Sequence, residues 1–221
     1  MEGIDDSKVG AWLEANVPGF EAPYQYELIT GGHSNLTFAC IDHSGRRVVL
    51  RRPPLGHVLE SAHDMGREHK IISALESSSV PVPKTYGLCS DPEVNGASFY
   101  VMDFIHGVVL NDSTFSVAIQ DSDRPALGEH VINILCDLHA VDIDAVGLGD
   151  LGRKEAYLAR QLNRWSKQWV ASKTHEIPAM EACQSLLSER MPDQIGASIV
   201  HGDFRLGNMI VDGPRVLAIL D

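Results

Sequence analysis

The stretch "HGDFRLGNMIVDGPRVLAILD", residues 201–221, arranges three oxygen-bearing side chains around one short hairpin. Two apolar runs flank the turn signal "DGP", so the pattern predicts two strands joined by a tight turn near Gly213. Because the turn reverses the chain, we expect Asn208, before the first strand, to lie close to Asp221, after the second. Asp203 precedes Asn208 in a loop flanked by glycine.

These residue types suit one kind of chemistry. Neighbouring amide and carboxylate oxygens form a site for a hard cation, and Mg²⁺ typically takes one or two carboxylates together with phosphate oxygens. A further carboxylate, offset from the metal, can orient a hydroxyl group and accept its proton. Phosphoryl transfer requires both arrangements.

Composition narrows the class of protein. The chain has 221 residues, of which 44% are hydrophobic and 22% charged, which is typical of a soluble globular protein. We find no apolar run long enough for a membrane span and no secretory signal in the acidic start "MEGIDDSKVG". The net charge of −12 argues against nucleic acid as a partner. The four cysteines form no Cys-x-x-Cys pair, which favours reduced thiols in a cytoplasmic protein. The oligomeric state is not indicated.

Periodicity predicts an α+β chain whose sheet precedes its helices. The predicted elements, in chain order, are a helix in 5–20, a β-meander in 26–52, a helix at 65–78, an extended segment at 80–91, an apolar strand at 98–107, and helices at 126–140, 157–169 and 177–191. Two of the helices carry an apolar stripe. These stripes are Leu127, Val131, Leu135 and Leu138 in one helix, and Leu158, Leu162, Trp165 and Trp169 in the next.

The motif "HGDFRLGN" followed by "ILD" resembles the catalytic loop and metal-binding Asp of the aminoglycoside phosphotransferase (choline kinase-like) superfamily, relatives of the protein kinases. The segments "GGHSNLTF", "VVLRRPP", "REHKIISAL", "YVMDFIHG", "LHAVDIDAVGLGDLG" and "YLARQLNRW" resemble the branch that includes kinase domains fused to acyl-CoA dehydrogenases. The resemblance covers nearly the whole chain. It implies a bilobal, protein kinase-like fold with an N-lobe at 1–105 and a C-lobe at 106–221.

The resemblance also implies roles for the hairpin residues. Asp203 would be the catalytic base, and Asn208 and Asp221 would hold Mg²⁺. His201 matches a structural histidine that braces the loop. Arg205 stands where many protein kinases carry a phosphate-directed Lys; the alternative is a solvated or loop-bracing arginine.

The N-terminal half offers a nucleotide clamp. The turn "TGGHSN" would present backbone N–H groups to phosphates, although a plain hairpin turn is the alternative. Its expected binding residues are Gly31, Gly32, His33, Ser34 and Asn35. Arg51 occupies the place of the nucleotide-binding Lys, and Glu68 matches the ion-pair partner of that cation. Arg52 is the alternative phosphate contact if the strand register differs by one residue.

The strand "YVMDFIHG" would hold the adenine. Asp103 to Ile105 resembles the hinge whose backbone binds the adenine edge, and Met102 would shape the back of the pocket. An ordinary buried strand is the alternative.

The combined prediction is a small-molecule kinase that transfers the γ-phosphoryl group of ATP, or of GTP, to a substrate hydroxyl with Mg²⁺. A non-catalytic nucleotide-binding module (pseudokinase) is the alternative suggested by Arg51 in place of Lys. A metal-dependent phosphate-ester hydrolase is a third candidate, but it would not need the hinge or the Arg51–Glu68 pair.

The acceptor cannot be named from this sequence. In the resembling family, further helices follow the position of Asp221 and supply much of the acceptor pocket. Aminoglycosides, hydroxy acids and hydroxyacyl thioesters all stay open as acceptors. We therefore expect negligible kinase activity from these 221 residues alone, with the two apolar stripes partly exposed.

Overall fold

The computed structural model describes residues 1–29, 35–56, 64–110 and 118–220. The helices are α1 (Asp6–Asn16), α2 (Met65–Leu75), α3 (Pro92–Asn95), α4 (Arg124–Ala140), α5 (Tyr157–Ser172) and α6 (Pro178–Glu189). The strands are β1 (Gln25–Leu28), β2 (Leu36–Ile41), β3 (Arg47–Arg52), β4 (Thr85–Cys89), β5 (Phe99–Asp103), β6 (Val108–Val109), β7 (Met209–Asp212) and β8 (Arg215–Ile219). Among the helices of the described residues, none is long and apolar enough to cross a membrane.

The N-terminal part is a five-stranded antiparallel sheet in the order β1-β2-β3-β5-β4. Successive side chains of a strand point to opposite faces, and both faces are covered here. Val48 and Leu50 of β3 pack with Leu13 of α1 on one face. Val49, between them, packs with Met65 of α2 on the other face. The predicted meander and both flanking helices are therefore confirmed.

Side-chain caps explain where the two flanking helices begin. The carboxylate of Asp5 accepts a hydrogen bond from the backbone N–H of Lys8 at the start of α1. Asp64 does the same for Arg67 at the start of α2, at 2.9 Å. Such caps satisfy N–H groups that have no partner within a helix, which sets the first residue of each helix.

A second, three-stranded sheet in the order β6-β7-β8 contains the C-terminal hairpin. The strand β6 was not predicted, because the predicted apolar strand ended at Gly107, directly before Val108, whereas β5 itself ends at Asp103. The chain leaves β5 after Asp103 and passes Gly107, where a Cβ atom would lie 2.5 Å from Cγ2 of Ile210 and 2.8 Å from the carbonyl oxygen of Val211. Glycine is therefore required for the close approach of this segment to β7.

The described chain forms two compact units. The first comprises residues 1–141 and 200–221, with both sheets and α4, and the second comprises residues 142–199, with α5 and α6. The division into lobes at residues 105 and 106 stays a prediction.

The two apolar stripes differ in burial. In α4, Leu127 and Leu138 are buried and Val131 and Leu135 are half-buried, while Ile134, which the sequence analysis left out of the stripe, is also buried. In α5 no residue is buried, and Trp165 is 56% exposed. The prediction of partly exposed stripes is confirmed for α5, and in α4 it holds only for the middle of the stripe.

Candidate active site

Asp203 and Asn208 are joined directly. A short 3-10 turn, Leu206–Asn208, ends the loop, and its N–H at Asn208 donates to the carbonyl of Arg205 at 2.9 Å. The buried Asn208 side chain donates from Nδ2 to Oδ2 of Asp203 at 2.9 Å and to its carbonyl oxygen at 3.0 Å. One amide group therefore holds both the carboxylate and the backbone of Asp203.

Arg205 is the second donor to the same carboxylate. Its Nε donates to Oδ2 of Asp203 at 3.0 Å, and its guanidinium folds over Gly207, where a Cβ atom would overlap Nη1. The hydrogen bond from Arg205, followed by that from Asn208, holds the pKa of Asp203 below the ordinary aspartate value. The carboxylate is exposed to solvent and ionised, so it can accept a hydrogen bond or a proton from an incoming group.

His201 braces the loop against the end of β8. Its Nε2 lies 3.0 Å from the carbonyl oxygen of Leu220, and its Nδ1 accepts the backbone N–H of Asp203 at 3.4 Å. A neutral imidazole with its proton on Nε2 satisfies both contacts. The N–H of Leu220 donates to the carbonyl of Asn208 at 2.8 Å, so the turn and the hairpin end are tied together. This geometry agrees with the predicted bracing role.

The oxygen atoms of Asn208 and of the nearby carboxylate are suitable ligands for a hard cation. Because Nδ2 of Asn208 is committed to Asp203, its amide oxygen is the atom left for a metal, and amide and carboxylate oxygens are ligands that Mg²⁺ accepts. Within the described ranges, no group of three or more His, Cys, Asp or Glu could hold a metal ion. The predicted partner ligand, Asp221, lies outside the described residues.

A second polar group is centred on Glu68, in the first turn of α2. Its Oε2 accepts a hydrogen bond from Nε of Arg51 at 2.9 Å, and its Oε1 accepts one from Nδ2 of Asn35 at 2.9 Å. The predicted Arg51–Glu68 ion pair is confirmed. Asn35 follows the glycine-rich turn directly, so this contact links α2 to the end of that turn. Gly31, Gly32, His33 and Ser34 lie outside the described residues.

Tyr100 is a member of this group that the sequence analysis missed. It is the cross-strand partner of Arg51, is fully buried, and donates from its hydroxyl to Oε2 of Glu68 at 3.2 Å. Burial, followed by the nearby Glu68 charge, raises the pKa of Tyr100. The sequence contained a signal for this role. Tyr100 lies two residues before Met102 and therefore on the same face of the strand, towards α2, and a buried tyrosine hydroxyl normally needs a hydrogen-bond partner.

Arg52 does not share this environment. Its guanidinium donates to the carbonyl oxygens of Gly3 at 2.7 Å, Asn95 at 2.9 Å and Pro53 at 3.2 Å. In this register Arg51, and not Arg52, reaches Glu68.

The proposed hinge residues end β5. Met102 is buried beside Val49 and Met65. The N–H of Asp103 donates to the carbonyl of Lys84 at 2.8 Å, and its carboxylate accepts a hydrogen bond from the hydroxyl of Tyr86, a contact that the sequence did not suggest. Ile105 is half-buried past the end of the strand.

The structure thus forms two groups, one around Asp203 and one around Glu68. No hydrogen bond between described residues joins them. The hairpin nevertheless contacts the segment that precedes β4 of the first sheet, because the N–H of Ile219 donates to the carbonyl of Pro81 at 2.9 Å.

This chain resembles part of two larger proteins. Probable acyl-CoA dehydrogenase IBR3 of Arabidopsis thaliana is 39% identical over 223 residues, covering 93% of this chain and 27% of that protein. Acyl-CoA dehydrogenase family member 11 of Rattus norvegicus is 35% identical over 226 residues, covering 99% of this chain and 29% of that protein. The chain therefore spans less than a third of the length of these two relatives.

Solved structures share the fold. A Ralstonia eutropha JMP134 protein provisionally designated an aminoglycoside phosphotransferase has a TM-score of 0.85 at 37% identity, covering 98% of this chain and 64% of that one. The streptomycin–ATP ternary complex of APH(2″)-IIa has a TM-score of 0.64 at 19% identity, covering 100% of this chain and 71% of that one. Choline kinase from Cryptosporidium parvum has a TM-score of 0.61 at 14% identity, covering 98% and 64%.

The predicted α+β, kinase-like fold with an antiparallel N-terminal sheet is therefore confirmed. A family model also matches residues 25–221, which include the sheet, the Arg51–Glu68 pair and the Asp203–Asn208 loop. On these matches, the chain belongs to the APH phosphotransferase enzyme family.

Proposed function

We propose that this protein is a small-molecule kinase that transfers the γ-phosphoryl group of ATP to a substrate hydroxyl. The observation that carries the proposal is the contact between Asn208 and Asp203 at 2.9 Å, in a loop tied to the hairpin end. It holds an ionised, exposed carboxylate next to an amide oxygen of a type that Mg²⁺ accepts as a ligand. Phosphoryl transfer depends mainly on such positioning and on charge stabilisation.

In this proposal Asp203 orients the acceptor hydroxyl and accepts its proton. A carboxylate whose pKa is lowered is a weak base, so it takes the proton late, after the oxygen has begun to bond to phosphorus. Arg205 is exposed, and its guanidinium can turn from Asp203 to a phosphate oxygen.

Asn208 and Asp221 would hold Mg²⁺. When bound, the ion neutralises phosphate charge and orients the nucleotide for in-line transfer. Asn208 is suited to this role because its amide orientation is fixed by the two hydrogen bonds to Asp203.

The nucleotide would be held by the other group. Arg51 would bind phosphate, with Glu68 and Tyr100 fixing the position of its guanidinium. The turn 31–35 would add backbone N–H groups, and the backbone of Asp103 to Ile105 would bind the base beside Met102. The ATP in the APH(2″)-IIa complex supports a nucleotide donor, with GTP as the alternative.

The acceptor would be a small molecule with a hydroxyl group. Streptomycin, bound in one structural neighbour, and choline, the substrate named for another, both carry hydroxyl groups. Neither names the acceptor of this protein.

The test compares Asp203→Asn with Asp212→Asn. Asp212 lies on the same hairpin at the exposed end of β7, so it is a matched control for the loss of one carboxylate. We expect a longer form of the protein, one that includes the acceptor pocket, to bind Mg²⁺-ATP and to phosphorylate a member of a panel of hydroxy compounds. Asp203→Asn should lower kcat by about 10²–10⁴-fold. Its affinity for Mg²⁺-ATP should change little, and Asp212→Asn should match the wild type in both.

Three results would redirect the proposal. Full turnover by Asp203→Asn would show that Asp203 takes no part in the reaction. Mg²⁺-ATP binding without phosphorylation of any acceptor would favour a non-catalytic nucleotide-binding module. Hydrolysis of phosphate esters with no nucleotide binding would favour the hydrolase alternative.

A further inference from the structure

A cavity of about 740 Å³ lies at the end of β3, in the first compact unit. Its described wall is formed by residues 53–56 after β3, by the start of α2 and by the loop between α3 and β5. The lining residues that matter here are Arg52, Pro54, Leu55, Asp64, Met65 and Asn95. A cavity of this size is in the range of small-ligand sites.

Arg52 brings a buried positive charge to this cavity. The residue is only 5% exposed, and the three groups that accept its hydrogen bonds are all backbone carbonyl oxygens. Among the described residues no carboxylate forms an ion pair with Arg52, and its Nη2 group makes no hydrogen bond. Burial lowers the pKa of Arg52, as expected for a cation without a counter-charge. A buried charge is costly unless it is paired, so within the described part of this site Arg52 favours a ligand that carries a negative charge.

Asn95 brings an unpartnered donor to the same cavity. It is 6% exposed, and its Oδ1 accepts the backbone N–H of Asp5 at 2.9 Å, which fixes the orientation of the amide. Its Nδ2 is buried and has no hydrogen-bond partner in the part of the chain that the structure describes. A buried amide donor left unpaired is rare and points to an acceptor that completes it.

We propose that this cavity binds a small organic anion through a carboxylate or phosphate group. The anionic oxygens accept hydrogen bonds from Nδ2 of Asn95 and Nη2 of Arg52. They give Asn95 an acceptor and Arg52 a counter-charge that neither has among the described residues. A short apolar portion of the ligand lies against Pro54 and Leu55. Asp64 also lines the cavity, but its carboxylate caps α2 through Arg67 and makes no ion pair with Arg52.

The site is separate from the proposed nucleotide site. Arg51, the residue assigned to nucleotide phosphate, lies on the other face of the sheet with Glu68. Anion binding at Arg52 therefore does not depend on kinase activity, and it can be tested whether or not the protein proves to be a kinase.

The test measures Tm against concentration for inorganic phosphate and for butyrate, with sodium chloride at equal ionic strength as the control. We expect a saturable rise in Tm for at least one of the two anions, on the order of 5 °C at a hundredfold excess over Kd. The anion that raises Tm shows whether the site recognises a phosphate or a carboxylate group. A change no larger than that in sodium chloride for both anions would overturn the proposal.

Two variants locate the effect. Asn95→Asp keeps the oxygen that accepts from Asp5 but replaces the free donor with a carboxylate near Arg52. It should raise Tm without added anion and abolish the anion-dependent shift. Arg51→Ala should keep the shift, which separates this site from phosphate binding at the nucleotide site. Retention of the full shift in Asn95→Asp, or its loss in Arg51→Ala, would overturn the assignment.

Discussion

Arg51 and Arg52 are neighbours in β3, yet their side chains lie on opposite faces of the sheet. Arg51 forms an ion pair with Glu68 of α2 at 2.9 Å, whereas Arg52 donates to the carbonyl oxygens of Gly3 and Asn95. The alternation of a strand produces this separation, because a shift of one residue exchanges the two faces. The two arginine side chains therefore lie in different environments.

Arg51→Ala should weaken Mg²⁺-ATP binding by about tenfold to a hundredfold, the range for a lost charge-assisted hydrogen bond. Arg52→Ala should change ATP affinity less and lower Tm more, because it leaves three carbonyl oxygens without their donor. Isothermal titration and thermal unfolding of both variants give the comparison. A larger loss of ATP affinity in Arg52→Ala would contradict the assignment of Arg51 to the nucleotide.

Tyr100→Phe should lower the free energy of unfolding by about 1 kcal/mol, because it removes a buried hydroxyl that donates to Glu68. It should also weaken ATP binding less than Arg51→Ala does, since Arg51 itself remains in place. Denaturant unfolding measures the first effect. Tyr157→Phe, at an exposed tyrosine, is the control and should be neutral. Equal free energies of unfolding for Tyr100→Phe and the wild type would show that this hydrogen bond does not stabilise the fold.

Gly107→Ala should destabilise the protein by about 1–3 kcal/mol, the usual cost of overpacking. Its Cβ would meet the carbonyl oxygen of Val211 at 2.8 Å, so β6 and β7 would have to separate. Gly128→Ala is the matched control, because Gly128 lies within α4 with nothing within 4 Å of the added methyl group. It should be neutral or stabilising by roughly 0.5–1 kcal/mol. Similar unfolding midpoints for the two variants would show that β7 can move away.

The pKa of Asp203 gives a prediction for pH. Arg205 and Asn208 hold this pKa below the ordinary aspartate value, so the ionised form persists to lower pH. The Asp203 carboxylate therefore becomes protonated, and can no longer act as a base, at a lower pH than a free aspartate does. Arg205→Gln should move it upwards, towards the ordinary value. The ¹³C shift of the Asp203 carboxyl, followed against pH by NMR, measures the change directly.

The matching effect on stability has a defined sign. Because the pKa of Asp203 is lowered in the folded protein, its contribution is present above the unfolded-state pKa and is lost as the pH falls through the folded-state pKa. The group is exposed, so solvent screening keeps this contribution small. Arg215→Gln, elsewhere on the hairpin, is the control and should leave the Asp203 titration unchanged. An unshifted titration in Arg205→Gln would contradict the assigned cause.

Local patterns account for much of what could be predicted. Alternating apolar residues, turn signals and helix caps act over a few residues, so the meander, α1, α2 and the C-terminal hairpin follow from neighbouring residues. The two-residue strand β6 was not predicted, because Val108 and Val109 lie beyond the predicted strand at 98–107 and two apolar residues are too few to show an alternating pattern. Only the approach to Ile210, about a hundred residues away in the chain, requires the break at Gly107.

The sequence by itself determined which residue types meet around the hairpin, because Asp203, Asn208 and the turn at Gly213 lie within one short stretch. Only the tertiary structure decided which arginine of β3 meets Glu68, that Tyr100 joins them, and that Arg52 and Asn95 end in one cavity. These contacts depend on strand register and on helices packed from distant parts of the chain. Local residue preferences carry no information about which distant group completes a buried hydrogen bond.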